Sequence, residues 1–118
     1  MDSALQTIAY TAGFLAQAKA DSMTEAEMEA MERMLAANPQ AGELIVGSGG
    51  CRKVRVAGKG RGKSGGYRVV TFFAHAGLPL YLVAMLAKGA RANFTDTEVA
   101  AMAGFARRIV AQARESRI

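Results

Sequence analysis

Cys51-Arg52-Lys53-Val54-Arg55-Val56-Ala57, Tyr67-Arg68-Val69-Val70-Thr71-Phe72-Phe73-Ala74 and Leu80-Tyr81-Leu82-Val83-Ala84-Met85-Leu86 are the three segments that decide the fold. Each is rich in Val, Leu, Phe or Tyr and bounded by turn residues, which predicts three β-strands. The connections, Gly/Lys-rich in one case and Ala76-Gly77-Leu78-Pro79 in the other, are too short for a crossover helix. The three strands are therefore expected to pair as antiparallel hairpins.

Helical signals flank these strands. Thr24 and Glu27 stand at capping-box spacing, with Met23 and Met28 at the staple positions and Met28, Met31 and Leu35 as an apolar stripe. That stripe is expected to pack into the core, and Asn38-Pro39 is expected to end the helix. Thr95 and Glu98 form a second capping box. Val99, Met102, Ala106, Ile109, Val110 and Ala113 then recur on one helical face, leaving Arg107, Arg108, Arg114 and Glu115 outside. Residues 5–11 alternate as a short strand would, in competition with a helix running on through residues 13–20, and residues 42–50 are expected to be a loop. The fold class is α+β: N-terminal helices packed on an antiparallel three- to four-stranded sheet, followed by a C-terminal helix. With 118 residues this is one domain, 1–118.

Composition excludes several functions. One Cys and one His supply neither an internal disulfide nor a Cys/His zinc site, and no cofactor or metal is expected. No basic residue precedes Lys19 and the longest apolar run, residues 78–87, contains Pro79. Neither a secretory leader nor a membrane span is expected, which points to the cytoplasm.

The net charge of +5 is unevenly distributed. Residues 1–43 hold seven acidic and two basic side chains, whereas residues 44–95 hold nine basic side chains and no acidic one. An uncompensated cluster of this kind calls for an anionic partner, most simply the phosphates of a nucleic acid. Residues 57–64, Ala-Gly-Lys-Gly-Arg-Gly-Lys-Ser, imitate a phosphate-binding loop, but a strand rather than a helix is expected to follow, and the nearest downstream carboxylate is Asp96. Nucleotide hydrolysis needs both the helix and an acidic magnesium ligand, so the motif is read as a flexible hairpin loop carrying Lys59, Arg61 and Lys63.

Alternation in the first of these strands puts Val54 and Val56 on one face and Lys53 and Arg55 on the other. The adjacent strand brings Arg68 near them, and Lys88 follows the last strand. Either these cations decorate an exposed sheet or they form a site. In a site they suit phosphoryl chemistry, because His75 falls in a turn and the basic segment lacks carboxylates. RNA brings its own nucleophile, the 2′-hydroxyl, whose attack on the adjacent phosphate leaves a 2′,3′-cyclic phosphate. A lysine of ordinary pKa, about 10.4, is neutral only to a few parts in ten thousand at pH 7. Crowding by cations favours the neutral form, which makes Lys53 a candidate base, while the arginines stay charged and stabilise.

The stretch Gly49-Gly50-Cys51-Arg52-Lys53-Val54-Arg55-Val56, followed by residues 60–70 from Gly60 to Val70, closely resembles the HigB branch of the RelE/ParE toxin superfamily. The likeness extends back through Asn38-Pro39 and forward through Tyr81-Leu82 and Ala87-Lys88 to Phe94-Thr95-Asp96-Thr97-Glu98, covering residues 24–110. It implies a type II toxin, a metal-independent mRNA interferase that cuts mRNA in the ribosomal decoding site and is neutralised by a helix-turn-helix antitoxin. Lys53, Arg55, Arg68 and Lys88 match the family's catalytic cations. Arg52, Lys59, Arg61, Lys63 and Arg91 are the accompanying RNA-binding candidates. The tyrosine that follows the lysine in RelE members has no counterpart, Phe94 lying nearest. A ParE-like inhibitor of DNA gyrase and a non-catalytic RNA-binding protein are the alternatives.

Overall fold

A computed structural model describes residues 5–58, 66–86 and 93–115 of the chain. The elements in order are β1 (Ile8–Tyr10), α1 (Ala12–Ala20), α2 (Glu25–Ala37), β2 (Glu43–Leu44), β3 (Cys51–Val56), β4 (Tyr67–Phe72), β5 (Leu80–Leu86) and α3 (Asp96–Glu115). The fold is α+β, and β3, β4 and β5 pair as consecutive antiparallel strands. The sheet is larger than the three or four antiparallel strands expected: it has five, in the order β1-β5-β4-β3-β2, and β1 runs parallel to β5. A parallel neighbour needs a long connection. Here the two helices and three strands between β1 and β5 supply it. The other addition, β2, lies inside the stretch expected to be a loop and pairs Glu43 with Lys53 and Leu44 with Arg52.

Both readings of the N-terminal segment hold in part, since the strand is brief and a helix follows at once. Thr11 makes the junction. Its Oγ1 accepts from the Phe14 amide and donates toward the Leu82 and Val83 carbonyls, so one side chain caps α1 and fastens it to β5. The α2 capping box is formed as expected, Glu27 donating its amide to Thr24 Oγ1 and Thr24 its amide to Glu27 Oε1. Such a cap contributes about 1 kcal/mol. Asn38 ends the helix.

Strand periodicity splits the apolar side chains between two cores. Val54 and Val56 of β3, Tyr67 and Val69 of β4, and Leu80, Leu82 and Met85 of β5 pack with Phe14, Ala18, Met31 and Leu35 of α1 and α2. The methionine stripe is thus core. Cys51, Val70 and Phe72 face the other way and are covered by Met102 and Ala106 of α3, with Tyr81 edge-on to Phe105 at 5.5 Å. In β5 both Leu82 and Met85 reach the first core although three residues separate them. The pairing steps from Val70–Ala84 to Thr71–Leu82, leaving Val83 as the extra residue of a β-bulge.

The β2–β3 connection seats α3. Gly49, at φ +77°, lies so close to the helix that a Cβ there would come within 3.3 Å of Ala103 Cα and Ala106 Cβ. Ser48 Oγ, buried in the same turn, donates to the Ile45 carbonyl and accepts from the Cys51 amide. At its other end α3 begins with the expected second capping box, Glu98 Oε1 accepting from the Thr95 amide and Thr95 Oγ1 from the Glu98 amide. Among the described residues no helix is long and apolar enough to cross a membrane.

Candidate functional site

One helix cannot cover a face of a five-stranded sheet. α3 covers the region of Cys51, Val70 and Phe72, and the same face of β3 and β4 continues past it with Lys53, Arg55 and Arg68. Arg55 is the direct register partner of Arg68, and Lys53 is two residues back on Arg55's side of the pleat. Strand geometry puts Arg55 and Arg68 about 5 Å apart at Cα. It puts Lys53 roughly 7 Å along the strand from Arg55. Both spacings are thus fixed by the paired strands rather than by loops.

These three side chains line a cleft of about 420 Å³ together with Gly42, Glu43 and Asn93. Three of the predicted site residues are therefore brought together. Arg52 is not among them: it belongs to the opposite face of β3, where its Nη1 donates to the Gly42 carbonyl at 3.1 Å. Lys59, Arg61, Lys63, Lys88 and Arg91 lie outside the described residues. His75 is exposed at the turn, as expected, with Nδ1 accepting from the Gly77 amide. Strand β4 begins at Tyr67, so among the described residues it is a strand, and not the helix a phosphate-binding loop requires, that follows the glycine-rich segment.

Glu43 and Asn93 were missed by sequence reasoning. Glu43 sits one residue outside the carboxylate-free segment 44–95, yet pairing with Lys53 brings it onto the same face. The signal was the run Leu44-Ile45-Val46, apolar and partly β-branched, inside a segment otherwise typical of a loop. Gly42 makes the turn into β2 at φ +92° while packed against the Lys53 carbonyl, with the place of a Cβ 2.7 Å from Val54 Cγ2. Only glycine meets both demands there.

A smaller cavity of about 210 Å³ adjoins the cleft. Glu43, Lys53 and Asn93 line both, and Leu44, Ile45, Val46, Phe94 and Val99 complete the smaller one. Phe94, the residue nearest the place of the RelE-type tyrosine, therefore contributes an apolar wall. Chemically, the cleft presents two permanent guanidinium charges and one ammonium group to an anion. Of the three, only Lys53 is able to exchange a proton; arginines in such a place hold and neutralise.

The molecule is thus an α+β domain whose sheet carries a cleft lined by three cations. Residues 17–117 match the family described as the RelE toxin of the RelE/RelB toxin-antitoxin system, and the chain belongs to that family of toxins. A cognate antitoxin is implied by membership.

Proposed function

We propose that this toxin is a ribosome-dependent mRNA endonuclease of the cytoplasm, allied to the HigB branch and held inactive by a helix-turn-helix antitoxin. The observation that carries this reading is the convergence of Lys53, Arg55 and Arg68 on the part of the sheet that α3 leaves open. In the reaction the 2′-oxygen bonds to phosphorus as its proton leaves, the bond from phosphorus to the 5′-oxygen breaks, and that oxygen takes up a proton. The products are a 2′,3′-cyclic phosphate and a 5′-hydroxyl end.

Arg55 and Arg68 stabilise the doubly charged phosphorane, an effect worth two to three orders of magnitude per well-placed donor in comparable sites. Lys53 exchanges the proton, and Lys88 adds a fourth cation. Lys59, Arg61, Lys63 and Arg91 hold the flanking RNA, while Arg52, on the other face of β3, takes no part. With no strong acid–base pair among the cations, the rate on free RNA is low, and alignment of the mRNA by the ribosome supplies the missing orientation.

Primer extension on a defined mRNA in a reconstituted translation system, with ribosomes present or omitted and Arg68→Ala as control, tests the reading. Codon-phased cuts that require both ribosomes and Arg68 are expected. Intact mRNA in the presence of folded toxin would overturn it, and inhibition of DNA gyrase by the same preparation would identify the alternative.

A further inference from the structure

Glu43 is out of place in a phosphate-binding cleft. Its carboxylate repels the ligand that Lys53, Arg55 and Arg68 attract, yet register pairing with Lys53 fixes it on their face. Exposed beside Lys53, that carboxylate is open to the hydrogen-bond donors of a bound ligand. The adjoining cavity of about 210 Å³ shows where they would stand: Glu43 and Lys53 line it at the cleft side, and Ile45, Phe94 and Val99 supply apolar walls. Pockets for drug-sized molecules run from about 300 to 1,000 Å³. This one is smaller and suits a single flat ring system, and it opens directly beside the cations.

We propose that this cavity is a nucleobase subsite for guanine, occupied by the nucleotide flanking the phosphate held by Lys53, Arg55 and Arg68; the inference rests on the RNA-cleaving reading above. Unpaired bases in RNA are commonly recognised by contact with their faces and hydrogen bonding along their Watson–Crick edges. The apolar walls take the faces. Glu43 reads the edge, because its two oxygens accept in parallel from two neighbouring donors, and guanine alone among the four bases offers such a pair, N1–H beside the N2 amino group. Adenine and cytosine set one amino donor beside an acceptor, and uracil sets one N–H between two carbonyls, so each would turn a lone pair toward the carboxylate. A bidentate base contact discriminates by about tenfold or more.

The test is an NMR titration of the full chain, without ribosomes, by the four nucleoside 3′-monophosphates and the four 5′-monophosphates, repeated with Glu43→Gln. Glu43 is exposed on a two-residue edge strand, so the variant keeps the fold. The expected result is GMP binding about tenfold tighter than the other three, with shifts at Ile45, Phe94 and Val99, and loss of that preference in Glu43→Gln while phosphate-dependent shifts at Lys53, Arg55 and Arg68 persist. Equal binding of all four bases, or a uniform gain in affinity for all of them in Glu43→Gln, would overturn the guanine subsite and leave Glu43 as a counter-charge to Lys53, with the RNA reading intact. Absence of binding by every nucleotide would overturn the subsite together with the phosphate cleft beneath it.

Discussion

Arg55 and Arg68 oppose each other directly across β3 and β4. Like charges in that relation cost a sheet on the order of 0.2–1 kcal/mol, and neither guanidinium can lose its proton to relieve it. An anion bound between them turns the repulsion into attraction. Arg68→Gln is therefore expected to raise the stability of the free toxin by up to about 1 kcal/mol in low salt, with the gain shrinking as ionic strength rises. Ribosome-dependent cleavage should fall about 100-fold in the same variant. Urea unfolding at two salt concentrations, beside a cleavage assay, checks both; a variant less stable than the parent would make the pair a structural contact instead.

Gly42→Ala puts a methyl group against the Lys53 carbonyl and Val54 Cγ2 at a backbone angle that L-residues avoid. The strain, about 1–3 kcal/mol, is relieved by parting β2 from β3, which withdraws Glu43 from the cleft. Hydrogen exchange should report faster loss of protection along Glu43, Leu44 and Lys53, with the amides of α2 unchanged.

Thr95→Ala removes the acceptor for the Glu98 amide at the start of α3. A loss of about 1 kcal/mol is expected. For a chain of this size that is a fall of about 4 °C in Tm. Because Asn93 and Phe94, which line the cleft and its side cavity, immediately precede this cap, cleavage should weaken more than in an exposed α3 control such as Arg107→Ala.

Burial pushes the Cys51 thiol from 9.0 up to about 11, the Ser48 hydrogen bond acting weakly in the other direction. The folded state thus keeps a proton that the unfolded chain releases first. The resulting stability is fully present below pH 9 and is lost progressively as pH climbs to about 11. Tyr67, raised to about 12 by burial and by its hydrogen bond to Glu27, extends the same trend upward. Stability against pH, measured by denaturant unfolding, should fall more gently between pH 9 and 11 in Cys51→Ala. A thiol reagent should label Cys51 of the native protein only at the rate of local opening.

The readable part of the fold was the part fixed by local chemistry. Capping boxes at Thr24 and Thr95 act over four residues, and the hairpin strands declare themselves by composition, so helices, strands and their antiparallel pairing were all legible. Alternation in β3 was enough to place Lys53 and Arg55 together, and the hairpin brought in Arg68. Two things depended on long-range packing. β1 has three residues and pairs with a strand some seventy positions away, and β2 has only two residues, held by β3 alone. Missing β2 meant missing Glu43, since the apolar run Leu44-Ile45-Val46 hints at a strand but gives neither its partner nor the register that lays Glu43 beside Lys53. Arg52 was grouped with its neighbours by charge, whereas the pleat sends it to the opposite face.

The bulge at Val83 makes β5 two half-strands spliced out of phase. Before it, even-numbered residues point to the helical pair; after it, odd-numbered ones do, which is why Leu82 and Met85 share one core. Register in a sheet is counted in single residues. Losing Val83 alone would erase the bulge and join the halves in one regular alternation, Met85 still facing the helical pair, whereas losing a second residue with it would invert the last third, turning Met85 outward and driving Leu86 inward. The turn at residues 73–79 can absorb changes of length, but β5 is a ruled distance. Variation in this toxin is therefore expected to accumulate as substitutions along β5, with changes of length beyond its ends or as loss of the bulge residue itself.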